Sequence, residues 1–302
     1  MVGAGAVGGF VGGRLTEAGR EVDFLVRSRR AAELSRDGLR IVDRDRTEVI
    51  DVRVVTAPLP QSAYDLVLVS VKGQALPAAI EDFKAAVGPD TVVLPFLNGI
   101  NHSDTLTRAF GPAVVGATLT IGAQLDGDGA IRQLFPGGGI EVGELSGAST
   151  ERVKAIVEAL SIPGFTVTVP ADITAAMWLK WVFIATIGAI TSLARGTIGE
   201  AAAVADGVAF AEDVLAETSS VAHAAGFPVS EEGLAVTKAM ATASGAPITS
   251  SLSRSLLAGQ VTEVEAVLGD LIVRARELKV SVPRIEAAAF ALRTHNARVA
   301  AA

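Results

Sequence analysis

Three glycines near the start of the chain have the spacing of a phosphate-binding turn. Residues 3–8 read GAGAVG, which matches G-x-G-x-x-G, and a helical pattern and a second strand follow. In that setting the first glycine makes a tight turn, the second lets the main chain approach a pyrophosphate, and the third lets the helix pack against the sheet. A glycine turn in another α/β fold is the alternative. The candidate dinucleotide-binding residues are Gly3, Gly5, Ala6, Val7 and Gly8.

The end of the second strand indicates which dinucleotide would bind. NAD-binding proteins usually place Asp or Glu there for the ribose hydroxyls, whereas this chain has Arg27 and Ser28. A guanidinium and a hydroxyl suit a 2′-phosphate, so we expect NADPH. The neighbouring Arg29 and Arg30 either contribute to this site or lie in a solvated helix start.

A lysine in an apolar helix is the second candidate for chemistry. Residues 177–183 read MWLKWVF, with Lys180 at the centre. Such a lysine either extends its ammonium group to water or is held for a function. Partial burial lowers the pKa of a lysine towards values useful for proton transfer. The residues alone leave both interpretations open.

The elements that must position these residues follow two patterns. In the first half, apolar β-branched runs alternate with helical patterns, which predicts an α/β domain with a parallel sheet. The predicted strands are 22–26, 51–56, 65–71 and 91–94, with helices 7–18 and 75–86 and later strands 114–123, 131–135 and 140–142, the last two separated by a loop at 137–139.

Beyond Pro170 the chain reads as helices only. The predicted helices are 172–193, 199–225, 231–243, 250–278 and 284–301, with prolines between them. The sequence therefore predicts an all-α second domain and a boundary at about Ala171, giving domains 1–171 and 172–302.

Composition excludes several classes of protein. The net charge is −7 without a basic stripe, so a nucleic-acid partner is not expected. There is no cysteine, and three scattered histidines form no zinc-like cluster, so no metal site is expected. The longest apolar run, 181–193, is shorter than the roughly 20 residues of a membrane span, which predicts a buried helix and no membrane partner. No signal peptide precedes Gly3, which favours a cytoplasmic protein.

Together these features resemble the ketopantoate reductases (2-dehydropantoate 2-reductases) over almost the whole chain. Besides residues 3–8, the resemblance is carried by Ser70-Val71-Lys72, Asn98-Gly99, Lys180, Ser250-Ser251 and Thr262-Glu263. It implies NADPH-dependent reduction of a 2-keto acid, as in pantothenate biosynthesis. It also implies an N-terminal Rossmann-type domain for NADP and an all-α C-terminal substrate domain, with the site in the cleft between them.

The resemblance also implies roles for individual residues. Lys180 would be the general acid that protonates the ketone oxygen, and Glu263 would orient Lys180 and contact the substrate. Asn98 would contact substrate and cofactor, Ser251 would bind the substrate carboxylate, and Lys72 would serve the cofactor or that carboxylate. The simpler alternatives are an exposed helix-start glutamate, a helix N-cap for Ser251, and turn or surface chemistry for Asn98 and Lys72.

The spacing of Ser251 and Glu263 gives a structural prediction. Twelve positions separate them, and a continuous helix would place them about 18 Å apart, too far to share a small keto acid. We therefore expect the helical pattern to break at residues 258–260, which read AGQ, and to form two helices.

The chain departs from the family pattern at several positions. Ile184 and Gly188 stand where the family usually has asparagines, one and two turns after the lysine, and Leu97 replaces a glutamine. The site would therefore be more apolar, which leaves the substrate open and makes a less polar 2-keto acid or ketone a candidate. The first strand normally supplies about five residues before the first glycine, whereas two precede Gly3, so either the sequence begins late or the central strand is short.

Two other functions remain open from the sequence. One is an NAD(P)-dependent hydroxyacid dehydrogenase of the same architecture, which Arg27 disfavours. The other is a non-catalytic NADPH-binding or sensing protein, which the retained Lys180, Ser251 and Glu263 disfavour. The alanine-rich helical half could also pack against a second copy as a homodimer, although no stripe of residues distinguishes such a face.

Overall fold

The chain folds as an α/β unit and a mostly helical unit. The structure is a computed structural model that describes residues 1–44, 46–61 and 64–301. One compact unit comprises Met1–Leu97 and His102–Ala176, and the other comprises Asn98–Asn101 and Met177–Ala302. This architecture confirms the predicted fold class.

A parallel sheet forms the centre of the first unit. Its strands are β1 (Asp23–Leu25), β4 (Arg53–Val55), β5 (Leu66–Val69) and β6 (Val92–Pro95). β1 pairs with β4 and β5 with β6, and Val2 joins the two pairs through parallel bridges to Leu25 and Val69. A single residue therefore occupies the place of the central strand, next to the glycine-rich turn.

A second, mixed sheet lies in the same unit. Its strands, in the order β3-β2-β8-β7 with β9 also on β8, are β2 (Leu39–Asp43), β3 (Arg46–Ile50), β7 (Gly116–Leu125), β8 (Ile131–Gly143) and β9 (Phe165–Thr168). The loop predicted at residues 137–139 is wrong, because β8 runs through it between β7 and β9. Side chains of Ile121 and Phe165 fill the space in which a Cβ of Gly138 would lie, so the missing side chain admits these neighbours.

Among the described residues before the helical unit, five α-helices accompany the two sheets. They are α1 (Ala6–Glu17), α2 (Ser28–Asp37), α3 (Leu76–Phe83), α4 (Asn101–Phe110) and α5 (Glu151–Leu160). Val11 and Leu15 of α1 lie in one buried cluster with Leu68 of the first sheet and Leu119 of the second. The helix that follows the glycine-rich turn is thus held by both sheets, and each fully buried side chain contributes about 1.5–3 kcal/mol.

The helical unit contains the remaining helices. They are α6 (Ile173–Ala194), whose first turn belongs to the first unit, α7 (Ile198–Ala203), α8 (Gly207–Ala224), α9 (Glu231–Ala241), α10 (Ser251–Leu257), α11 (Asp270–Glu277) and α12 (Pro283–Ala301). The predicted helix 199–225 is two helices, because Asp206 adopts a left-handed φ of 62° between α7 and α8. The break expected at residues 258–260 is confirmed, since α10 ends at Leu257 and a π-helical turn, Glu265–Gly269, leads into α11.

Helix α6 is longer than its apolar run suggested. With 22 residues and a mean hydropathy of 1.7 in its most apolar window, it is long and apolar enough to cross a membrane. However, 61% of that window is buried inside the protein, and Thr186 of α6 hydrogen bonds to Thr218 of α8 at 2.8 Å. These contacts make α6 a core helix of the helical unit.

Candidate functional site

The glycine-rich turn combines two tightly packed glycines with an open one. Gly3 has a φ of +92°, and a Cβ there would lie 2.6 Å from the carbonyl oxygen of Ser70. A Cβ on Gly8 would lie 2.2 Å from the carbonyl oxygen of Gly3, whereas one on Gly5 would meet no described atom within 4 Å. The protein itself therefore requires Gly3 and Gly8, and the main chain at Gly5 is open to a ligand.

Helix α1 presents its N-terminus at this turn. Gly5 is the N-cap of the helix, and among the described residues no side chain caps it and no acidic residue lies in its first turn. Unbonded N–H groups and the positive end of the helix dipole favour an anion. The turn thus has an open main chain and an uncapped helix N-terminus, which are features that the pyrophosphate of a dinucleotide would need.

The arginines after β1 have different surroundings. Arg27 is exposed and is the N-cap of α2, and Arg29 is 94% exposed and pairs with Glu33 at 3.1 Å. Arg30 instead donates to the carbonyl oxygens of Ala4, at 3.3 Å, and Gly129. The solvated helix start therefore describes Arg29, whereas Arg30 braces the glycine-rich turn, a role that sequence reasoning missed.

Lys72 follows β5 at the same edge of the parallel sheet. Its side chain is exposed, and its carbonyl accepts a hydrogen bond from the N–H of Ala75 in a short 3₁₀ turn. The N–H of Ser70 donates to the carbonyl of Val2 at 2.9 Å, which places the end of β5 beside Gly3. The carboxyl ends of parallel strands are where ligands of open α/β sheets bind, and Gly3, Arg27 and Lys72 all follow such ends.

In the helical unit, Lys180 lies on α6 between two buried tryptophans. Lys180 is half-buried, while Trp178 and Trp181 are 2% and 1% exposed. Ile184, one turn further along, is also half-buried. The indole of Trp181 donates to the carbonyl oxygen of Val267 at 2.8 Å, so the helix that carries Lys180 is tied to the π-helical turn.

The Asn98–Gly99 turn lies against the same π-helical turn. Gly99 has a φ of +79°, and a Cβ there would lie 2.4 Å from the carbonyl oxygen of Ala266. Only glycine permits this approach, which leaves Asn98 half-buried beside it. The asparagine turn and α6 therefore contact successive residues, Ala266 and Val267.

Glu263 lies two residues before the first residue of that turn, and α12 fixes the main chain beside it. The side chain of Asn296 accepts from the N–H of Thr262 at 2.8 Å and donates to the carbonyl of Thr262 at 3.0 Å. His295 contacts the carbonyl of Gln260 at 2.9 Å. Asn296 thus sets the position from which Glu263 emerges, and no local sequence pattern indicates this.

Ser251 is the first residue of α10 and is exposed. The N-cap is Ser250, which forms a capping box with Ser253 and hydrogen bonds to Thr191 of α6 at 2.8 Å. The alternative that Ser251 caps the helix is therefore wrong. The hydroxyl of Ser251 lies in the first turn of α10, and Ser250 caps the helix.

The residues that depart from the family pattern differ in environment. Leu97 is buried in a core cluster with Val69 and Phe83, so it forms no part of an apolar substrate wall. Gly188 is buried, and a Cβ there would lie 3.1 Å from Leu252. Only Ile184 keeps an accessible surface near Lys180.

The predicted residues thus form two groups. The residues at 3–8, Arg27 and Lys72 each follow the carboxyl end of a strand at one edge of the parallel sheet. In the helical unit, the segments that carry Asn98, Lys180 and Glu263 converge on Glu265–Gly269. The start of α10, where Ser251 lies, contacts α6 further along, through the hydrogen bond between Ser250 and Thr191.

Comparison with known proteins finds relatives over almost the whole chain. Residues 1–147 match the family model "Ketopantoate reductase PanE/ApbA", and residues 172–296 match the model of its C-terminal domain. The chain is 32% identical to an uncharacterised oxidoreductase, YkpB, of Bacillus subtilis, over 95% of this chain and 94% of that protein. It is also 32% identical to 2-dehydropantoate 2-reductase of Halobacterium salinarum, over 96% of each chain.

Solved structures have the same fold. A PanE/ApbA family ketopantoate reductase from Ralstonia eutropha is 25% identical with a TM-score of 0.83, covering 99% of this chain and 100% of that one. D-mandelate dehydrogenase with NADH and anilino(oxo)acetate is 18% identical with a TM-score of 0.88, covering 99% of both chains. Two family models that together span most of the sequence, and relatives aligned over nearly its full length, show that this chain belongs to the ketopantoate reductase family, whose members are oxidoreductases that act on CH–OH groups.

Proposed function

We propose that this protein reduces a 2-keto acid to the 2-hydroxy acid with NADPH, and that Lys180 supplies the proton. The observation that carries the proposal is the half-buried Lys180 on a helix tied to the turn on which the Asn98 and Glu263 segments converge. We assign cofactor binding to residues 1–171 and substrate binding and proton transfer to residues 172–302.

The first unit has the features that a dinucleotide requires. The open main chain at Gly5 and the uncapped N-terminus of α1 would hold the pyrophosphate. Arg27 and Ser28 would bind a 2′-phosphate, and Lys72 would add a positive charge at the same sheet edge. Bound NADPH supplies the hydride to the carbonyl carbon.

The helical unit supplies the groups for the carbonyl oxygen. The ammonium of Lys180 would stabilise the negative charge that develops on this oxygen and then donate a proton to it. Glu263 would orient the ammonium, from a main chain that Asn296 holds. Asn98 and Ser251 would hydrogen bond to the substrate, Ser251 to its carboxylate.

The surroundings of Lys180 favour a substrate with an apolar side chain. Ile184 lies one helical turn from Lys180 with part of its side chain exposed, and it offers no hydrogen bond to a substrate hydroxyl. A hydroxyl that loses its partners on binding weakens affinity by about 1–3 kcal/mol. We therefore expect less polar 2-keto acids to react faster than ketopantoate.

The test is the initial rate of NADPH oxidation with ketopantoate and a series of less polar 2-keto acids, with NADH in parallel. The proposal predicts turnover of at least one 2-keto acid and a lower KM for NADPH than for NADH. Preference for NADH would favour a hydroxyacid dehydrogenase of this architecture. NADPH binding without turnover of any 2-keto acid would contradict the proposal and favour a binding protein.

A further inference from the structure

Arg274 of α11 contacts two other parts of the helical unit, and each of them carries a proposed substrate residue. Its Nη2 and Nε donate to the side-chain oxygen of Asn101 at 2.9 and 3.2 Å. Its guanidinium also lies over the rings of Trp178 and Trp181, 5.7 and 5.9 Å from their centroids. One side chain thus contacts both the segment that carries Asn98 and the helix that carries Lys180.

The Asn98–Asn101 segment is fixed at both ends. At one end Gly99 lies against the carbonyl of Ala266. At the other, Asn101 accepts from Arg274 and hydrogen bonds to Asp270, one turn earlier on α11. Asn98 is the first residue of this four-residue segment and Asn101 is the last. The position of Asn98 therefore depends on how Asn101 is held.

The chemistry at Arg274 suits a positioning role. A planar guanidinium can donate two hydrogen bonds to one oxygen while its face contacts aromatic rings, which a lysine cannot do. Arg276, two residues along the same helix, differs because it is exposed and pairs only across the surface with Glu286 at 2.8 Å.

We propose that Arg274 is a positioning residue that holds the Asn98–Asn101 segment in register with the Lys180 helix, and so places the Asn98 side chain for substrate binding. This inference rests on the proposed function of Asn98 and Lys180. Misplacement of one substrate-binding group by about 1 Å can reduce activity up to about a hundredfold. The effect should therefore be seen in substrate binding while NADPH affinity is retained.

The test compares Arg274→Met, which keeps the length of the stem, with Arg274→Lys and with the control Arg276→Met. Hydrogen exchange should become faster in residues 98–101 for Arg274→Met, less so for Arg274→Lys, and not for Arg276→Met. The KM for the best 2-keto acid should rise about tenfold in Arg274→Met, with the Kd of NADPH unchanged. Asn101→Ala should raise KM similarly, and the double variant should be no worse than either single variant.

The possible results distinguish the positioning role of Arg274 from the proposed reduction of a 2-keto acid. Wild-type exchange rates at residues 98–101 in Arg274→Met would overturn the positioning role, whatever the activity. Faster exchange with an unchanged KM would also overturn it, and would leave the proposed reaction intact. If the wild-type protein reduces no 2-keto acid, the proposed function fails, and the exchange measurement alone decides whether Arg274 holds the segment.

Discussion

The indole nitrogen of Trp181 donates a 2.8 Å hydrogen bond to the main-chain carbonyl of Val267. Both residues are buried, and Val267 lies in the π-helical turn Glu265–Gly269. Turns of this kind are rare and frequently occur at functional sites. This hydrogen bond links the helix that carries Lys180 to the turn that Gly99 approaches. Its loss should therefore affect both the stability of the fold and the geometry of the proposed site.

Trp181→Phe should therefore lower the free energy of unfolding more than Trp178→Phe does. Both variants replace an indole with a phenyl ring, but only the first removes a hydrogen bond to the buried carbonyl of Val267, at a cost of about 0.5–1.5 kcal/mol. Urea denaturation of the two variants measures this difference. Equal losses would show that the hydrogen bond contributes nothing beyond packing.

Substitutions of Gly3 and Gly5 should have different effects, the first on stability and the second on cofactor binding. Gly3→Ala forces a left-handed residue and a contact with Ser70, so it should cost at least about 1–2 kcal/mol of stability. Gly5→Ala places a methyl group in open space, so it should cost at most about 1 kcal/mol while weakening NADPH binding about tenfold or more. Thermal unfolding and NADPH titration check both values, and a Gly5→Ala protein with full affinity would refute pyrophosphate binding at this turn.

Ile184 and Gly188 should respond differently to the asparagine that the family usually has there. Ile184→Asn adds a hydrogen-bonding group near Lys180, so kcat/KM for ketopantoate relative to an apolar 2-keto acid should rise about tenfold or more. Gly188→Asn instead meets Leu252 and should cost about 1–3 kcal/mol of stability by overpacking. An unchanged substrate ratio in Ile184→Asn would place that side chain outside the substrate site.

Glu144 should give the protein a pH-dependent stability. Its side chain is 6% exposed and pairs with Arg152 at 2.7 Å, and the hydrogen bond from Arg152 holds the pKa of this carboxyl below its usual value. A lowered pKa stabilises the fold above the unfolded value of about 4.3, and this contribution is lost as the pH falls through the folded value.

The corresponding measurement is urea unfolding of wild type and Glu144→Gln between neutral and acid pH. The wild type should have the larger free energy of unfolding at neutral pH. The difference between the two proteins should become smaller as the pH falls below about 4. Glu151→Gln is the control, because Glu151 is 88% exposed and its pair with Lys154 is solvated. A gap that stays constant with pH would contradict the assigned pairing.

The features that the sequence predicted well depend on local chemistry. The turn at residues 3–8, the apolar run of β5 and the break after Leu257 each follow from glycine geometry or hydrophobic periodicity. Gly259, with a φ of 66°, ends α10 as a glycine after a helix should.

The features that it missed depend on contacts between distant segments. The sequence around Gly138 predicts a loop, because Gly138 lies in a strand only through its pairing with Ile121 and Phe165, which are remote in sequence. The sequence predicts Leu97 in a substrate wall, whereas it lies in a buried cluster with Phe83. Arg274 and Asn296 have no motif, because their roles arise only when α11 and α12 lie beside the segments they bind.

The most direct test of the central claim is the kcat for 2-keto acid reduction in Lys180→Ala, compared with Lys238→Ala. Lys238 lies on the surface of α9, paired with Glu212 at 2.9 Å, so its loss should leave kcat unchanged. Loss of a general acid should lower kcat about a hundredfold or more in Lys180→Ala, with the Kd of NADPH unaltered. A Lys180→Ala protein that keeps the kcat of the Lys238→Ala control would contradict proton donation by Lys180.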